Sequence, residues 1–158
     1  MTQATDVLSR NSVVSLVEVT KDNVRKVTDL TVMENQEKFV ASNAVSIAQA
    51  YFEREETWFR AIYAEQTLVG FLLLFFDKKT EKCYLCRFMI DQRYQGFGFG
   101  ASALQLLFDY LQTNALADKL IVFHTSGEGN PGPFYEKMGF FYTGELDDDA
   151  LVMHKLLK

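Results

Sequence analysis

Apolar positions repeat with two different periods along the chain, and the switches between them mark the elements. Val13 to Val19 is a β-branched run that predicts a first strand. From Asp22, expected as the N-cap, Val24, Val27, Leu30 and Met33 recur at helical spacing. A polar stretch covers Glu34 to Asn43, and Ala44 to Phe52 then predicts a second helix with Ile47, Ala50 and Tyr51 on its apolar side. Trp58 to Ala64 and Leu68 to Phe76 are β-rich runs joined by Glu65-Gln66-Thr67, the sequence form of a hairpin. Asp77 to Lys82 makes the next turn, and Cys83 to Ile90 adds a third strand to the meander. Ser102 to Leu111 carries Leu104, Leu107, Phe108 and Leu111 at helical spacing. Lys119 to His124 predicts a strand, Gly127 to Pro133 a loop and Phe134 to Met138 a short helix. Phe140 to Thr143 and Ala150 to Leu157 predict a closing hairpin. The order βααβββαβαββ, with no linker, predicts one α/β domain over residues 1–158.

Composition narrows the partners. A chain of 158 residues that is 48% apolar has enough material for one packed core. Its net charge of −5 argues against nucleic acid and favours a cationic partner. Met1 to Ser12 has no apolar export segment, so a cytoplasmic location is expected. The longest apolar run, Phe71 to Phe76, is six residues against the roughly 20 of a membrane helix, so no membrane partner is expected. Cys83 and Cys86 form a C-x-x-C within a strand, where residues three apart face opposite sides, so the pair is expected to hold no metal. Asp147-Asp148-Asp149 sits between Leu146 and Leu151 where the closing hairpin turns and reads as a solvated turn, while His124 and His154 take no role.

The most specific chemistry lies in Arg93-Tyr94-Gln95-Gly96-Phe97-Gly98-Phe99-Gly100, three alternating glycines between a strand and a helix. Alternating glycines let successive N–H groups face one point, and the helix that follows adds its positive end there, so an anionic cofactor is implied. Gly96, Gly98 and Ala101 also fit G-x-G-x-x-A, but a dinucleotide fold wants that motif after its first strand. No Lys-Ser or Lys-Thr follows to complete a Walker loop.

Gln95-x-x-Gly98-x-Gly100 resembles the Q/R-x-x-G-x-G/A acyl-CoA signature of the GNAT N-acetyltransferases. An overlapping frame begins at Arg93, but the spacing from Ile90 and a helix opening just after Gly100 favour Gln95, leaving Arg93 as a solvated turn charge. Phe88-Met89-Ile90 before the glycines and Phe134-Tyr135-Glu136-Lys137-Met138-Gly139-Phe140 after them are similar to the family's neighbouring elements in the same order. The resemblance implies a GNAT α/β (α+β) fold, a mixed, mostly antiparallel sheet flanked by helices whose strands at Cys83 to Ile90 and Lys119 to His124 splay apart. It implies acetyl-CoA as co-substrate, an acetyl-CoA-binding core over about 83–140 and acceptor-side helices over about 22–53.

By the same resemblance, Gln95 and the amides of Gly96, Phe97, Gly98, Phe99, Gly100 and Ala101 bind the coenzyme diphosphate, joined by Lys137. Phe88 and Ile90 pair with pantetheine through main-chain groups, and the Met89 N–H polarises the acetyl carbonyl. Tyr135 protonates the departing thiolate. Many members carry an asparagine where this chain has Glu128, and Asn130 is the nearby asparagine assigned to the cofactor. Glu34-Asn35-Gln36-Glu37-Lys38-Phe39-Val40-Ala41-Ser42-Asn43 with Ser46-Ile47-Ala48-Gln49-Ala50 resembles spermine/spermidine acetyltransferases, which places Glu34 and Glu37 against a polyamine's ammonium groups. Glu34, Glu37, Glu128 and Asp77 all stand as general-base candidates. The expected reaction is direct acetyl transfer to a small polyamine. Another amine, such as an aminoglycoside or a protein N-terminus, and a non-catalytic CoA-binding module are the alternatives, and a homodimer is left open.

Overall fold

The meander and the closing hairpin combine into one sheet whose central strands are apolar enough to need cover, while the edge strand at residues 141–147 stays exposed. In the computed structural model, which describes residues 7–158, the strands are β1 (Val14–Val17), β2 (Thr57–Ala64), β3 (Thr67–Asp77), β4 (Lys82–Ile90), β5 (Lys119–His124), β6 (Phe141–Asp147) and β7 (Ala150–Leu156). They lie in the order β1-β2-β3-β4-β5-β7-β6, and every neighbouring pair is antiparallel except β4 and β5. The helices are α1 (Val24–Thr28), α2 (Asn43–Tyr51), α3 (Phe99–Thr113) and α4 (Gly132–Lys137), with 3-10 helices at Glu34–Phe39 and Gln92–Tyr94. The predicted order of helices and strands is the observed one. Met1 to Asp6, part of the stretch read for an export signal, lie outside the described residues. Among the described residues no helix is long and apolar enough to cross a membrane.

Each face of the sheet carries its own core. Leu72 and Leu74 of β3 pack with Leu104, Leu107 and Leu111 of α3, while the alternate residues Phe71 and Leu73 pack with Val27 of α1 and Ala50 of α2. Burial on both faces is why β3 reads as an unbroken apolar run.

Several boundaries differ from the pattern. α1 ends at Thr28, because Thr31 is held elsewhere: its N–H donates to the Asp91 carboxylate at 3.0 Å and its carbonyl accepts from the Gln92 N–H at 2.8 Å. Asn23, not Asp22, is the N-cap, and Met33 is exposed. The polar stretch contains the 3-10 helix Glu34–Phe39. Tyr51 is exposed under the Arg54 guanidinium, 4.1 Å from its ring centroid, instead of facing the core. The β6–β7 turn is tight at Asp148-Asp149, so β6 reaches Asp147 rather than ending at Thr143.

Candidate active site

β4 and β5 pair only at Cys83 with Leu120 and Tyr84 with Ile121, and beyond these rungs they separate. Just past that point β4 is bulged: Leu74 faces Leu85 while Leu73 faces Arg87, so Cys86 is an extra residue. The bulge restarts the alternation, sending Phe88 and Ile90 toward the α3 core and Met89 to the opposite one. Cys83 and Cys86 stay apart, the first buried and the second exposed. Burial pushes the Cys83 thiol up to about 12, and partial loss of solvent around the otherwise exposed Cys86 raises that thiol too, so neither is poised as a thiolate nucleophile.

The main chain of β4 also alternates, and its phase is fixed at both ends of the Met89–Asp91 step. The Asp91 N–H donates to the Val69 carbonyl of β3 at 2.7 Å, whereas the Ile90 carbonyl turns the other way and accepts from Gln95 Nε2 at 2.9 Å. The Met89 carbonyl abuts Gly70 of β3. Main-chain groups of Met89 therefore point into the β3 ladder and those of Phe88 and Ile90 into the gap. This corrects the expectation for Met89: its N–H is not available to an acyl carbonyl, and the open donors are Phe88 and Ile90.

The glycine run closes the upper end of the gap. Gly96 and Gly98 have φ of 89° and 82° with nothing near a Cβ position, so glycine is required there by backbone conformation alone. Gly98 is the N-cap of α3, which opens at Phe99, earlier than predicted, placing Gly100 inside the first turn. Because the first helical bond runs from the Ser102 N–H to the Gly98 carbonyl, the N–H groups of Phe99, Gly100 and Ala101 have no partner within the helix. At Gly100 there is no such constraint to glycine: a Cβ would sit in ordinary van der Waals contact with the stacked rings of Phe88 and Phe134, at 3.4 and 3.5 Å, so a small residue fits there. Free N–H groups at the start of α3, presented by a turn that needs glycine at Gly96 and Gly98, fit a diphosphate. The Phe97 ring is not on the cavity wall and stacks on Phe99 at 5.3 Å.

Asp91, which sequence alone did not single out, locks this corner. Burial opposes its charge, but hydrogen bonds from the Arg93 side chain and from the Thr31 and Arg93 N–H groups outweigh it and hold the carboxyl below its usual range. Arg93 is thus the partner of a buried carboxylate, at 2.8 Å, rather than a free turn charge. The nearby Asp-x-Arg spacing was the signal for it. A group with a depressed folded pKa stabilises fully above its unfolded value, about 3.9, and loses that contribution as pH falls through the folded value. Asp91→Ala is expected to cost about 2–3 kcal/mol at neutral pH by stranding the Thr31 and Arg93 N–H groups. The deficit shrinks at acid pH, which urea melts at neutral and acid pH will check.

Gln36 and Gln95 pair through their amides at 2.9 and 3.3 Å, tying the 3-10 helix Glu34–Phe39 to the glycine run. On its other side, Asn35 packs on Gly129 and Lys38 approaches Gly127. The helix therefore bridges the gap, and beneath it lies a cavity of about 680 Å³. Phe88, Met89, Ile90, Gln95, Gly96, Gly98, Phe99, Gly100, Ala101, Asn130, Tyr135 and Lys137 of the expected site line it. Gln36, Phe39 and Phe134 join them from segments the sequence already ties to the site without giving these residues a role, and Phe123 joins from β5. Asn130 spends its side chain within the loop, accepting from the Gly132 N–H at 2.9 Å and donating to the Gly127 carbonyl at 2.7 Å.

Tyr135 sits on α4 between Phe134 and Phe140, at centroid distances of 5.6 and 5.1 Å. Burial pushes its hydroxyl well above the ordinary range, so it stays protonated. No described side-chain oxygen or nitrogen is sealed from solvent without a partner, which leaves this hydroxyl in contact with the cavity. His124, at the end of β5, meets the Thr125 carbonyl through Nδ1 and the Tyr142 hydroxyl through Nε2, both at 2.9 Å, so it is not free to act as a base.

Glu34 and Glu37 are exposed and, like Glu128 and Asp77, absent from the cavity wall. Asp77 caps the β3–β4 turn through the Lys79 N–H, at the far end of the strands from the gap. Among the described residues, those of the wall that carry charge are Arg10 and Lys137, both cations.

Residues 13–140 match the family described as Acetyltransferase (GNAT). The spermine/spermidine N(1)-acetyltransferase of Bacillus subtilis (strain 168) is 30% identical over 142 residues, which covers 85% of this chain and 91% of that protein. In fold, the chain resembles the spermidine N-acetyltransferase of Vibrio cholerae solved with CoA and spermine, with a TM-score of 0.71 at 17% identity over 91% of this chain and 95% of that one. It also resembles the Salmonella typhimurium acetyltransferase that modifies the N-terminal serine of ribosomal protein L7/L12, with a TM-score of 0.73 at 12% identity over 94% and 96%. The chain belongs to the GNAT acetyltransferase family and is an N-acetyltransferase that draws its acetyl group from acetyl-CoA.

Proposed function

We propose that the protein transfers an acetyl group to a primary amine of a small polyamine such as spermidine or spermine. The observation that carries the acceptor class is the 30% identity to a spermine/spermidine enzyme across most of both chains. Fold likeness alone does not choose, since a protein-terminus acetyltransferase is matched as well.

Acetyl-CoA supplies an activated acyl group, and the rest falls to the chain. The unpaired N–H groups of Phe99, Gly100 and Ala101 hold the diphosphate. The gap-facing groups of Phe88 and the Ile90 N–H align the pantetheine arm, and one of these donors takes the role first expected of Met89. Tyr135 delivers its proton to the leaving sulfur. The raised thiols support direct transfer without an acyl-enzyme. With no carboxylate on the described wall, the ammonium proton leaves to water through the cavity mouth, and aromatic faces such as Phe39 and Phe123 favour a cation within.

Thiol release from acetyl-CoA, followed with polyamines, aminoglycosides and peptides in parallel, tests the acceptor. Polyamines are expected to give the highest kcat/KM. Faster turnover of either other class overturns the assignment, and CoA binding without thiol release marks a silent module. Glu34 and Glu37 act on a polycation only through solvent, where an exposed pair is worth about 0.2–1 kcal/mol. The double change to glutamine is therefore expected to raise the polyamine KM about 2- to 10-fold, less at high salt, with kcat unchanged in the same assay.

A further inference from the structure

The glycine cradle supplies main-chain donors but no side-chain charge, and the coenzyme is a polyanion. Arg10 lines the same cavity as Gly96, Gly98 and Ala101. It rides on a turn closed by the Ser12 N–H on the Ser9 carbonyl at 3.0 Å and by the Ser9 N–H on Ser12 Oγ at 2.9 Å. Leu8 anchors the start of that turn on the α3-side core, and the Val13 N–H donates to Glu65 Oε1 at 2.7 Å at its end.

Strand register shows which end of the cavity this turn serves. Val14 pairs with Ala64, Ala64 with Thr67, and Gly70 with Ile90, so the segment before β1 lies at the sheet end where β4 passes into the glycine run. That is the end away from the β4–β5 rungs at Tyr84 and Ile121. Among the described residues Arg10 has no ion-pair partner, and the wall it joins carries no carboxylate. A guanidinium offers a fork of donors that matches two phosphate oxygens at once.

We propose that Arg10 is a phosphate-binding residue of the coenzyme site, adding a side-chain cation to the backbone donors of the glycine run. The contribution comes from the segment N-terminal to β1, outside the expected coenzyme-binding core.

Calorimetric titration with CoA tests it on the wild type, Arg10→Ala and Arg10→Lys. Arg10→Ala is expected to weaken CoA about tenfold, which is about 1.4 kcal/mol, and to flatten the dependence of affinity on salt. Arg10→Lys, keeping the charge and losing the fork, falls between. kcat/KM for acetyl-pantetheine, which has no phosphate, stays within about twofold, and Tm is unchanged because the side chain is exposed. Repeating the titration with 3′-dephospho-CoA identifies the phosphate: the loss persists if Arg10 meets the diphosphate and disappears if it meets the ribose phosphate. Equal CoA affinity in wild type and Arg10→Ala, or an equal loss with acetyl-pantetheine, overturns the proposal. Failure of the wild type to bind CoA overturns it together with the coenzyme site itself.

Discussion

Tyr135→Phe is expected to lower kcat for acetyl transfer by about 10²-fold or more while the CoA dissociation constant moves by less than about twofold. The ring is held by its neighbours Phe134 and Phe140 and by its place on α4, none of which needs the hydroxyl, so phenylalanine fits the same space. What is lost is a proton donor facing the cavity. Burial keeps that donor protonated at every working pH, so its removal shifts the whole pH–rate profile down without moving its midpoints. A sulfur leaving as thiolate without a positioned proton accounts for the magnitude. Steady-state kinetics with saturating acceptor, paired with calorimetric CoA binding, make the measurement. An unchanged kcat would sink the role, and a matching loss of CoA affinity would recast Tyr135 as part of the binding wall.

Local sequence carried much of this site because its strongest feature is local. Gly96 and Gly98 are glycine for their own φ angles, and a glycine-strand-helix pattern reads without knowledge of what surrounds it. The order of elements along the chain followed from runs long enough to be unambiguous, as with β3, apolar on both faces. What could not be read depends on contacts across the chain. Nothing near Met89 reveals which way its N–H points, because the phase of β4 is fixed by Val69, Gly70 and Gln95. The extra residue at Cys86 likewise leaves no trace in a run that alternates well enough without it. α1 looked longer because Leu30 kept helical spacing, and its early end is imposed by Asp91 and Gln92 on Thr31. The resemblance of the 34–43 segment to polyamine acetyltransferases points to Glu34 and Glu37, yet it is Gln36 and Phe39 of that segment that face inward.

Gly70→Ala is the stability counterpart of the tyrosine change. A Cβ at Gly70 would collide with the Met89 carbonyl and stand 2.8 Å from Ile90 Cδ1 and 3.2 Å from Ile62 Cδ1. The two isoleucine methyls can rotate aside, but the carbonyl is main chain and belongs to the β3–β4 ladder. Relief therefore requires the two strands to part at the rung that fixes which β4 groups face the gap. Overpacking of this kind costs about 3 kcal/mol, or a fall in Tm of about 6–12 °C for a chain of this size. Where the variant remains folded, a displaced Phe88–Ile90 segment weakens alignment in the gap, so kcat/KM for acetyl-CoA falls as well. Thermal melts and kinetics well below the new midpoint separate the two effects. A Tm within about 2 °C of wild type would show that β3 and β4 absorb the methyl, and the register that turns Met89 away from the acyl group would then be softer than its hydrogen bonds indicate.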